Sequence, residues 1–431
     1  MPNIITNKLK LNNAKNFIDS VSLDSGNSLY MFLAKPNIWN DETVPAPLDI
    51  QETNSKIWDE MISLKRILPS SIANVVRRVD WEIGEYYDEY NPEDPDLFSK
   101  NFYVLNSQFD VYKCIDNNSR APSTISPTGR FVNIITLADG YRWKYMYSIS
   151  TGEQTKFLTR YWMPVFKNPL VAANAKDGGI EHIKIFNGGA DYSAYSNVNI
   201  IGDGQNAIIR PKINLGVIYD FVYENVGSNF RYANAYIVDG QASGKYANIK
   251  AIINPQGGHG YDPVAELNAN YVMINVRTNY NEGYGDFPGG FTFRQLGIIK
   301  NPVNRDGLVA ANTTLNALTS INLSNVNGTF TNNEFIEGKL SLANAYLVTS
   351  NVVSGNGYGR YLQSFGLTSN FSTFTKNESI IGKTSGATAI IANVIYSEVI
   401  PNRGDILYIE NRVPITRSQS QTDNLHLVIE F

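Results

Sequence analysis

Few residues in this chain have types and spacing that could carry chemistry. Glu82, Glu85, Asp88 and Glu89 crowd together ahead of a Pro-rich loop, and glycoside hydrolysis needs two carboxylates flanking one bond. A charge run is more often a solvated face. The loop GGHGYD, residues 257–262, carries His259 where glycines would let the backbone approach a ligand. No partner base or nucleophile accompanies it, so a tight structural loop is expected. Asp203, Asp239 and Asp262 lie in Gly-rich turns and could bind calcium, yet the spacing of an EF-hand is absent. Gly202, Gly204 and Ala207 form a GxGxxA pattern after a strand. A dinucleotide site needs a helix next, so that its N-terminus meets the pyrophosphate. Here AIIRPKINLG follows, β-like and broken by Pro211, and a turn is the better reading. The single cysteine, Cys114, excludes an intrachain disulfide and any Cys-based zinc or iron–sulfur site. It reads as a small core residue in a strand. His182, His259 and His426 are far apart in sequence and show no ligand spacing such as HExxH. The pattern GxSxG is absent. No catalytic residue, cofactor or metal is assigned.

The composition describes what must position any site. The 431 residues allow two to four domains. Lys and Arg total 36 against 40 Asp and Glu, a net charge of −4, which gives no electrostatic reason for binding nucleic acid or an anionic membrane. Abundant Gly (33), Tyr (26) and Asn point to a β-rich, turn-rich chain. The N-terminus has no apolar segment of the secretory kind, and no stretch approaches a membrane span. The Asn-X-Ser/Thr triplets at Asn312, Asn322, Asn327, Asn370 and Asn377 read as ordinary turns.

Helices are expected near the N-terminus, over residues 12–21 with Phe17 and Ile18 on the apolar side, and over 55–68. The second has Thr53 or Asn54 as N-cap, apolar residues from Ile57 to Leu68 at helical spacing, and Pro69 as its stop. A short helix is expected over 72–76, a strand over 29–35, and an exposed acidic loop over 86–96. From Phe102 the reading is β, with two short strands separated at 106–108. After the Asp139-Gly140 turn, Tyr141, Trp143, Tyr145 and Tyr147 alternate onto one face, expected to be buried rather than a sugar platform. Residues 178–285 read as a β domain with strands at 182–186, 207–213 and 271–277. Within it NGGADYSAYSNVNIIGDG weakly resembles NVGSNFRYANAYIVDG about 38 residues on. A clearer repeat pairs FTNNEFIEGKLSLANA from Phe330 with FTKNESIIGKTSGATA from Phe374, identical at ten positions at an offset of 44. Such a period implies duplicated strand units that pack on each other or on a neighbouring subunit.

The C-terminus reads GDILYIENRVPITRSQSQTDNLHLVIEF. An apolar strand, ENRxPI, a polar stretch, QT with an acid, and a last apolar strand ending in Phe resemble the signature of the T4-type phage baseplate wedge protein, the gene product eight family. Four further stretches agree in order: residues 57–81, VYKCID at 111–116, DGYRWKYMYSI at 139–149 and FRQLGIIKNP at 293–302. Residues 170–285 and 303–400 are longer than the family core and read as elaborations. Read physically, 406–409 and 425–431 can form paired strands, Pro414 confines its surroundings to a loop or sheet edge, and Glu410 and Arg412 can pair with each other or with a partner.

The resemblance implies a mainly β, multidomain β-sandwich protein with a small α/β N-terminal part. The expected domains are 1–100 (N-terminal α/β part), 101–169 (β core strands), 170–290 (Gly/Asn/Tyr-rich β domain), 291–302 with 401–431 (C-terminal core strands) and 303–400 (inserted β module). It implies a non-enzymatic structural subunit of a contractile-tail baseplate wedge, located in the virion and assembled in the host bacterial cytoplasm. Its partners would be a second copy in a homodimer, other wedge subunits, and fibre or spike connectors, with no nucleic acid and no membrane insertion. Candidate interface residues are Arg78, Asp80, Trp81, Glu410, Asn411, Arg412, Pro414, Gln421 and Thr422. A receptor-binding or fibre-adaptor role is the main alternative and calls for an exposed aromatic patch on 303–400. A tail-associated glycan hydrolase is the third and needs converging carboxylates.

Overall fold

Residues that tolerate positive φ cut the chain into short strands. Asn118, Asn206, Asn229, Asn301, Asn333, Asn377 and Asn402 all adopt φ between 48° and 69°, where a short amide side chain is tolerated best after glycine. The computed structural model describes residues 4–21, 26–36, 39, 43–238, 246–279, 287, 292–363, 373–418 and 421–431. Among the described residues strand accounts for 45% and helix for 12%, so the fold is mainly β, with several sheets and a barrel.

The N-terminal elements are α1 (Asn7–Ser20), β1 (Leu29–Ala34), α2 (Gln51–Glu60), β2 (Met61–Arg66) and β3 (Ile72–Arg77). Next come β4 (Tyr103–Leu105), β5 (Asp110–Asp116), β6 (Ile135–Thr136), β7 (Arg142–Ser148), α3 (Thr151–Phe157), β8 (Trp162–Pro164) and α4 (Pro169–Ala173). A first run of six strands follows: β9 (Ile180–Asn187), β10 (Asn197–Gly202), β11 (Gln205–Asn214), β12 (Val217–Ser228), β13 (Ala233–Val238) and β14 (Asn248–Ile253). After α5 (Pro263–Glu266) come β15 (Tyr271–Asn279), β16 (Thr292–Lys300) and β17 (Thr314–Asn316). A second run of six is β18 (Thr319–Asn327), β19 (Phe335–Gly338), β20 (Asn344–Val353), β21 (Asn356–Gln363), β22 (Ser379–Gly382) and β23 (Thr388–Ile395). The chain closes with β24 (Asp405–Thr416) and β25 (Thr422–Glu430).

Four N-terminal expectations need correction. The helix expected over 55–68 ends at Glu60, and Met61–Arg66 is a strand between β1 and β17. An apolar run buried on both faces has no period that tells helix from strand, and sheet pairing decides. The helix starts at Gln51, after an Ile50 that makes no side-chain cap, rather than at Thr53 or Asn54. The short helix expected over 72–76 is strand β3, whose Val75 and Val76 pair with Pro164 and Met163 of β8; β-branched residues favour this. The loop 86–96 is only partly exposed, because Tyr87 and Tyr90 are buried.

Two compact units emerge, one of Met1–Asn16, Ala73–Met273 and Val428–Phe431, the other of Phe17–Ile72 and Ile274–Leu427. In the first, β4, β5, β7 and β6 form a sheet in that order. Tyr141, Trp143 and Tyr145 of β7 and its preceding turn are buried with Tyr112, Cys114 and Tyr87 on one side. Tyr147 departs from this face. A bulge sets Tyr145 opposite Tyr112 but Tyr147 opposite Val111, so Tyr147 joins Val111, Met146 and Phe102 in a separate core cluster.

In the second unit, β17, β2, β1, β16 and β24 form a sheet. β24 lies at its edge, which accommodates Pro414. The expected pairing of 406–409 with 425–431 does not occur. β24 pairs with β16, while β25 neighbours β15.

The six strands β9–β14 are two interleaved copies of a three-strand unit. β9 pairs with β14, β10 with β13 and β11 with β12, so every ladder joins one copy to the other. The weak internal resemblance is structural. Asn187 Oδ1 accepts from Gly189 N (2.8 Å) and Asn225 Oδ1 from Gly227 N (3.0 Å). Gly189 and Gly227 have φ of 68° and 69°, and Asp191 and Asn229 of 64° and 63°. Tyr192 and Phe230 follow as buried aromatics, donating their amides to Gly216 O (3.0 Å) and Gly178 O (3.1 Å) of the opposite copies.

The second run repeats this topology: β18 with β23, β19 with β22, β20 with β21. Further ladders β18–β21, β19–β20 and β22–β23 close it into a barrel. The two copies of the 44-residue repeat thus pack on each other, through β19 and β22.

Candidate functional site: a cationic and aromatic cleft

A cleft of about 510 Å³ opens in the first unit. The end of β3 brings Val76, Arg77 and Arg78 to one wall; Arg160, Tyr161 and Trp162 face it from the start of β8. The two walls are joined by Arg78 N donating to Tyr161 O (2.8 Å), and Tyr103 Oη of β4 donates to Arg77 O (2.9 Å). Lys10 of α1, Phe98, Asn270, Tyr271 and Glu430 complete the lining.

Its cations are held without being neutralised in full. Arg78 Nε reaches both carboxylate oxygens of Asp80 at 3.0 Å, and its Nη1 donates to Thr159 O at 3.1 Å. Arg77 Nη2 donates to Asn101 Oδ1 (3.0 Å), a neutral acceptor. The Arg160 guanidinium lies 5.5 Å from the Tyr161 ring centre. Lys10 Nζ is 3.8 Å from Glu430. Four cations therefore face one lining carboxylate. The aromatic part is exposed at Tyr161 (65%) and Phe98 (41%), with the Trp162 and Tyr271 rings packed at a tilt of 46°, 4.7 Å between centres. Burial pushes the Tyr103 hydroxyl up to about 12, keeping it a neutral donor. The lining holds no His, Cys or Ser, and a single carboxylate. Cations beside exposed aromatic rings suit an acidic or aromatic group, and Glu430 has no second carboxylate in the lining of the kind that glycoside hydrolysis pairs.

The expected interface residues fall in several places. Arg78 lines the cleft and Asp80 orients it. Trp81 turns inward, its Nε1 donating to Ser123 Oγ at 3.0 Å. Residues 410–423 of the C-terminal signature lie in the second unit. Arg412 Nε donates to Glu410 Oε1 (2.7 Å), and Asn411 Nδ2 to Pro45 O (2.9 Å). Gln421 Nε2 donates to Asp423 Oδ1 (2.7 Å) and Thr422 Oγ1 to Asn279 Oδ1 (2.9 Å). Asp423 and Gln421 O enclose the buried Arg417 guanidinium, which also donates to Phe287 O at 2.8 Å. Pro414 stays on the edge strand. The cleft residues Lys10, Arg77, Arg160 and Tyr161 carry no motif. The only sequence trace is two short basic and aromatic runs, Arg77-Arg78 and Arg160-Tyr161-Trp162.

The other candidate positions are structural. His259 is buried beside Glu266 (3.9 Å), and burial and the nearby Lys113 ammonium push it well below the ordinary imidazole range, so it is neutral. Glu266 accepts from Gly260 N (2.8 Å) and Asp262 N (3.2 Å) and from Lys113 Nζ, which also lies 4.3 Å from the Tyr90 ring. The GGHGYD loop is thus fixed by a buried charge pair. Asp262 caps α5 through Ala265 N, and Asp203 Oδ1 accepts from Arg231 N and Tyr232 N. Asp239 lies outside the described residues. Gly202 ends β10, Gly204 lies in the turn that follows and Ala207 is in β11. Among the described residues no helix is long and apolar enough to cross a membrane.

Residues 3–130 match the family model described as Bacteriophage T4, Gp8, the family that the ordered motifs resemble. The matched region holds Lys10, Arg77, Arg78, Phe98 and Tyr103 of the cleft. No curated protein matches the chain. The family match supports a structural role in a phage baseplate.

Proposed function

With residues 3–130 matching the Gp8 family, we propose that the chain is a structural subunit of a contractile-tail baseplate wedge that holds neighbouring subunits together. The family match carries this reading; the cleft adds a means. Its excess of cations beside exposed Tyr161 and Phe98 suits an acidic, aromatic-bearing segment of a neighbour, where Arg and aromatic side chains anchor interfaces most strongly. The subunit works as a homodimer, assembles in the host cytoplasm and stays in the virion. It also contacts fibre or spike connectors. Residues 170–290 and 303–400 are β modules added to a core formed by 1–100, 101–169, 291–302 and 401–431. The subunit is not an enzyme.

Immunogold labelling of the source virions with antibody to the purified chain tests the placement. Gold at the baseplate before and after contraction is expected, and gold at fibre tips overturns it. Arg77→Glu combined with Arg160→Glu tests the cleft: baseplate incorporation is expected to fall while the variant stays folded.

A receptor-binding or fibre-adaptor role has one observation in its favour. Aromatic side chains are exposed at Tyr195 (79%), Tyr232 (61%) and Tyr246 (85%) of the first duplicated module. Among the described residues of 303–400, where that role called for a patch, the exposed aromatics are Phe335, Tyr358 and Tyr396.

A further inference from the structure

Away from the cleft, the loop 86–96, the end of β5 and the start of β9 bring three potential ligands together. His182 is 4% exposed, and neither of its ring nitrogens has a hydrogen-bond partner. A buried imidazole left this way is costly. Two carboxylates face it: Glu89 Oε2 is 3.6 Å from Nε2, and Asp116 Oδ2 is 3.6 Å from Nδ1. The other oxygen of each is already occupied. Asp116 Oδ1 accepts from Asn118 N (2.9 Å) and Glu89 Oε1 from Lys184 Nζ. Each carboxylate is thereby oriented, with one oxygen spare. A separation of 3.6 Å is long for a hydrogen bond. The ring offers one nitrogen to an ion, and from that nitrogen the carboxylate oxygen at 3.6 Å is close to the roughly 3.4 Å between two ligand atoms that share a tetrahedral ion with bonds of about 2.1 Å. One donor atom from each of the three residues lies within 4.8 Å of the other two.

We propose that Glu89, Asp116 and His182 bind a divalent transition cation of the zinc class. One imidazole with two carboxylates suits zinc, cobalt or manganese. Calcium and magnesium prefer oxygen-only sets, calcium with six to eight ligands. Three protein ligands leave a fourth position for water. Lys184 beside Glu89, and Arg142 opposite Asp116 on β7, are the neighbouring cations, and they keep the affinity moderate. The ion would tie the 86–96 loop and β5 to β9, the first strand of the duplicated module. This inference does not depend on the baseplate reading. Sequence spacing gave no hint of it, because the three ligands lie 27 and 66 residues apart on a loop and two strands.

Untagged full-length protein, stripped with a chelator, is titrated with Co(II) and then Zn(II). One saturable equivalent is expected, with a cobalt absorption band that zinc displaces. His182→Asn is expected to weaken binding by about tenfold or more. So is Asp116→Asn, which keeps the acceptor for Asn118 N, while Glu82→Gln, at an exposed acid outside the cluster, leaves binding unchanged. Circular dichroism establishes that each variant is folded, and the Asp116 variant decides the matter if His182→Asn is not. Absence of saturable uptake, or uptake that neither His182→Asn nor Asp116→Asn weakens, overturns the proposal.

Discussion

The modules β9–β14 and β18–β23 share one interleaved topology and hold it in opposite ways. In the second, the copies grip each other through two buried carboxylates. Glu334 reaches across to Thr384 N (3.0 Å), Ser385 N (2.9 Å) and Ser385 Oγ, and also accepts from Thr331 N. Glu378 mirrors it on Leu340 N (3.3 Å), Ser341 N (3.0 Å), Ser341 Oγ and Thr375 N. Gly338 and Gly382 leave room for these carboxylates. A Cβ at Gly338 would meet Glu378 Oε2 at 2.5 Å, and one at Gly382 would meet Glu334 Oε2 at 2.6 Å.

The first module fills the corresponding place with a ring. A Cβ at Gly202 or Gly204 would meet the Phe230 ring at 2.9 and 2.3 Å, and Ser196, not a carboxylate, takes the Ser193 amide at 3.1 Å. Strand pairing between copies sets the topology; what plugs the gap between them is open to choice. The choice has a consequence. A carboxylate clasp depends on pH, whereas an apolar plug does not.

The largest expected break is in the apolar plug. Phe230→Ala should destabilise the first module by about 3–5 kcal/mol, since the ring is buried against three glycines that cannot refill the space. Thermal melts read it, and an effect under about 1 kcal/mol would mean that the plug is not what holds the module.

Glu378→Gln should cost about 2–3 kcal/mol, because a neutral amide cannot accept from three backbone amides and a hydroxyl as a carboxylate does. Glu334→Gln should match it to within about 0.5 kcal/mol if the clasps are equivalent, and the two should be non-additive. Urea unfolding of the single and double variants measures both.

The pH dependence is smaller. Burial by itself would raise Glu334 and Glu378, but the amides and hydroxyls that they accept from outweigh it and hold both below the usual 4.5. With the folded value depressed, the stabilisation is fully present above the unfolded value and is lost as pH falls through the folded one. Hydrogen exchange should therefore show 319–395 loosening below about pH 4.5 ahead of 178–254. The depressed carboxylates of the first module, Asp177 and Asp203, face solvent and contribute little. Simultaneous loosening would remove the distinction.

The smallest effect separates the copies of the first module. Tyr192 Oη accepts from Ala247 N at 2.7 Å, a bond that Phe230 lacks the atom to make. Tyr192→Phe should cost about 1 kcal/mol in thermal unfolding.

Local chemistry was legible in the sequence. Asn and Gly turns, strand alternation from Phe102 onward, both duplications and the ordered family motifs could all be read because each depends on neighbours within a few residues or on self-similarity. The failures were of another kind. Met61–Arg66 continues a helical spacing of apolar residues, yet its place between β1 and β17 made it a strand. One bulge on β7 moved Tyr147 to a different core from Tyr141, Trp143 and Tyr145. The cleft gathers Lys10, Arg77, Arg160 and Glu430, and the His182 site gathers Glu89 and Asp116, from segments far apart in the chain. Such groupings leave no local trace, because no residue's type depends on a partner that only sheet pairing brings near. The residues and turns were thus set by the sequence itself. Which carboxylate meets which imidazole, and which cations share a wall, was decided by the tertiary structure.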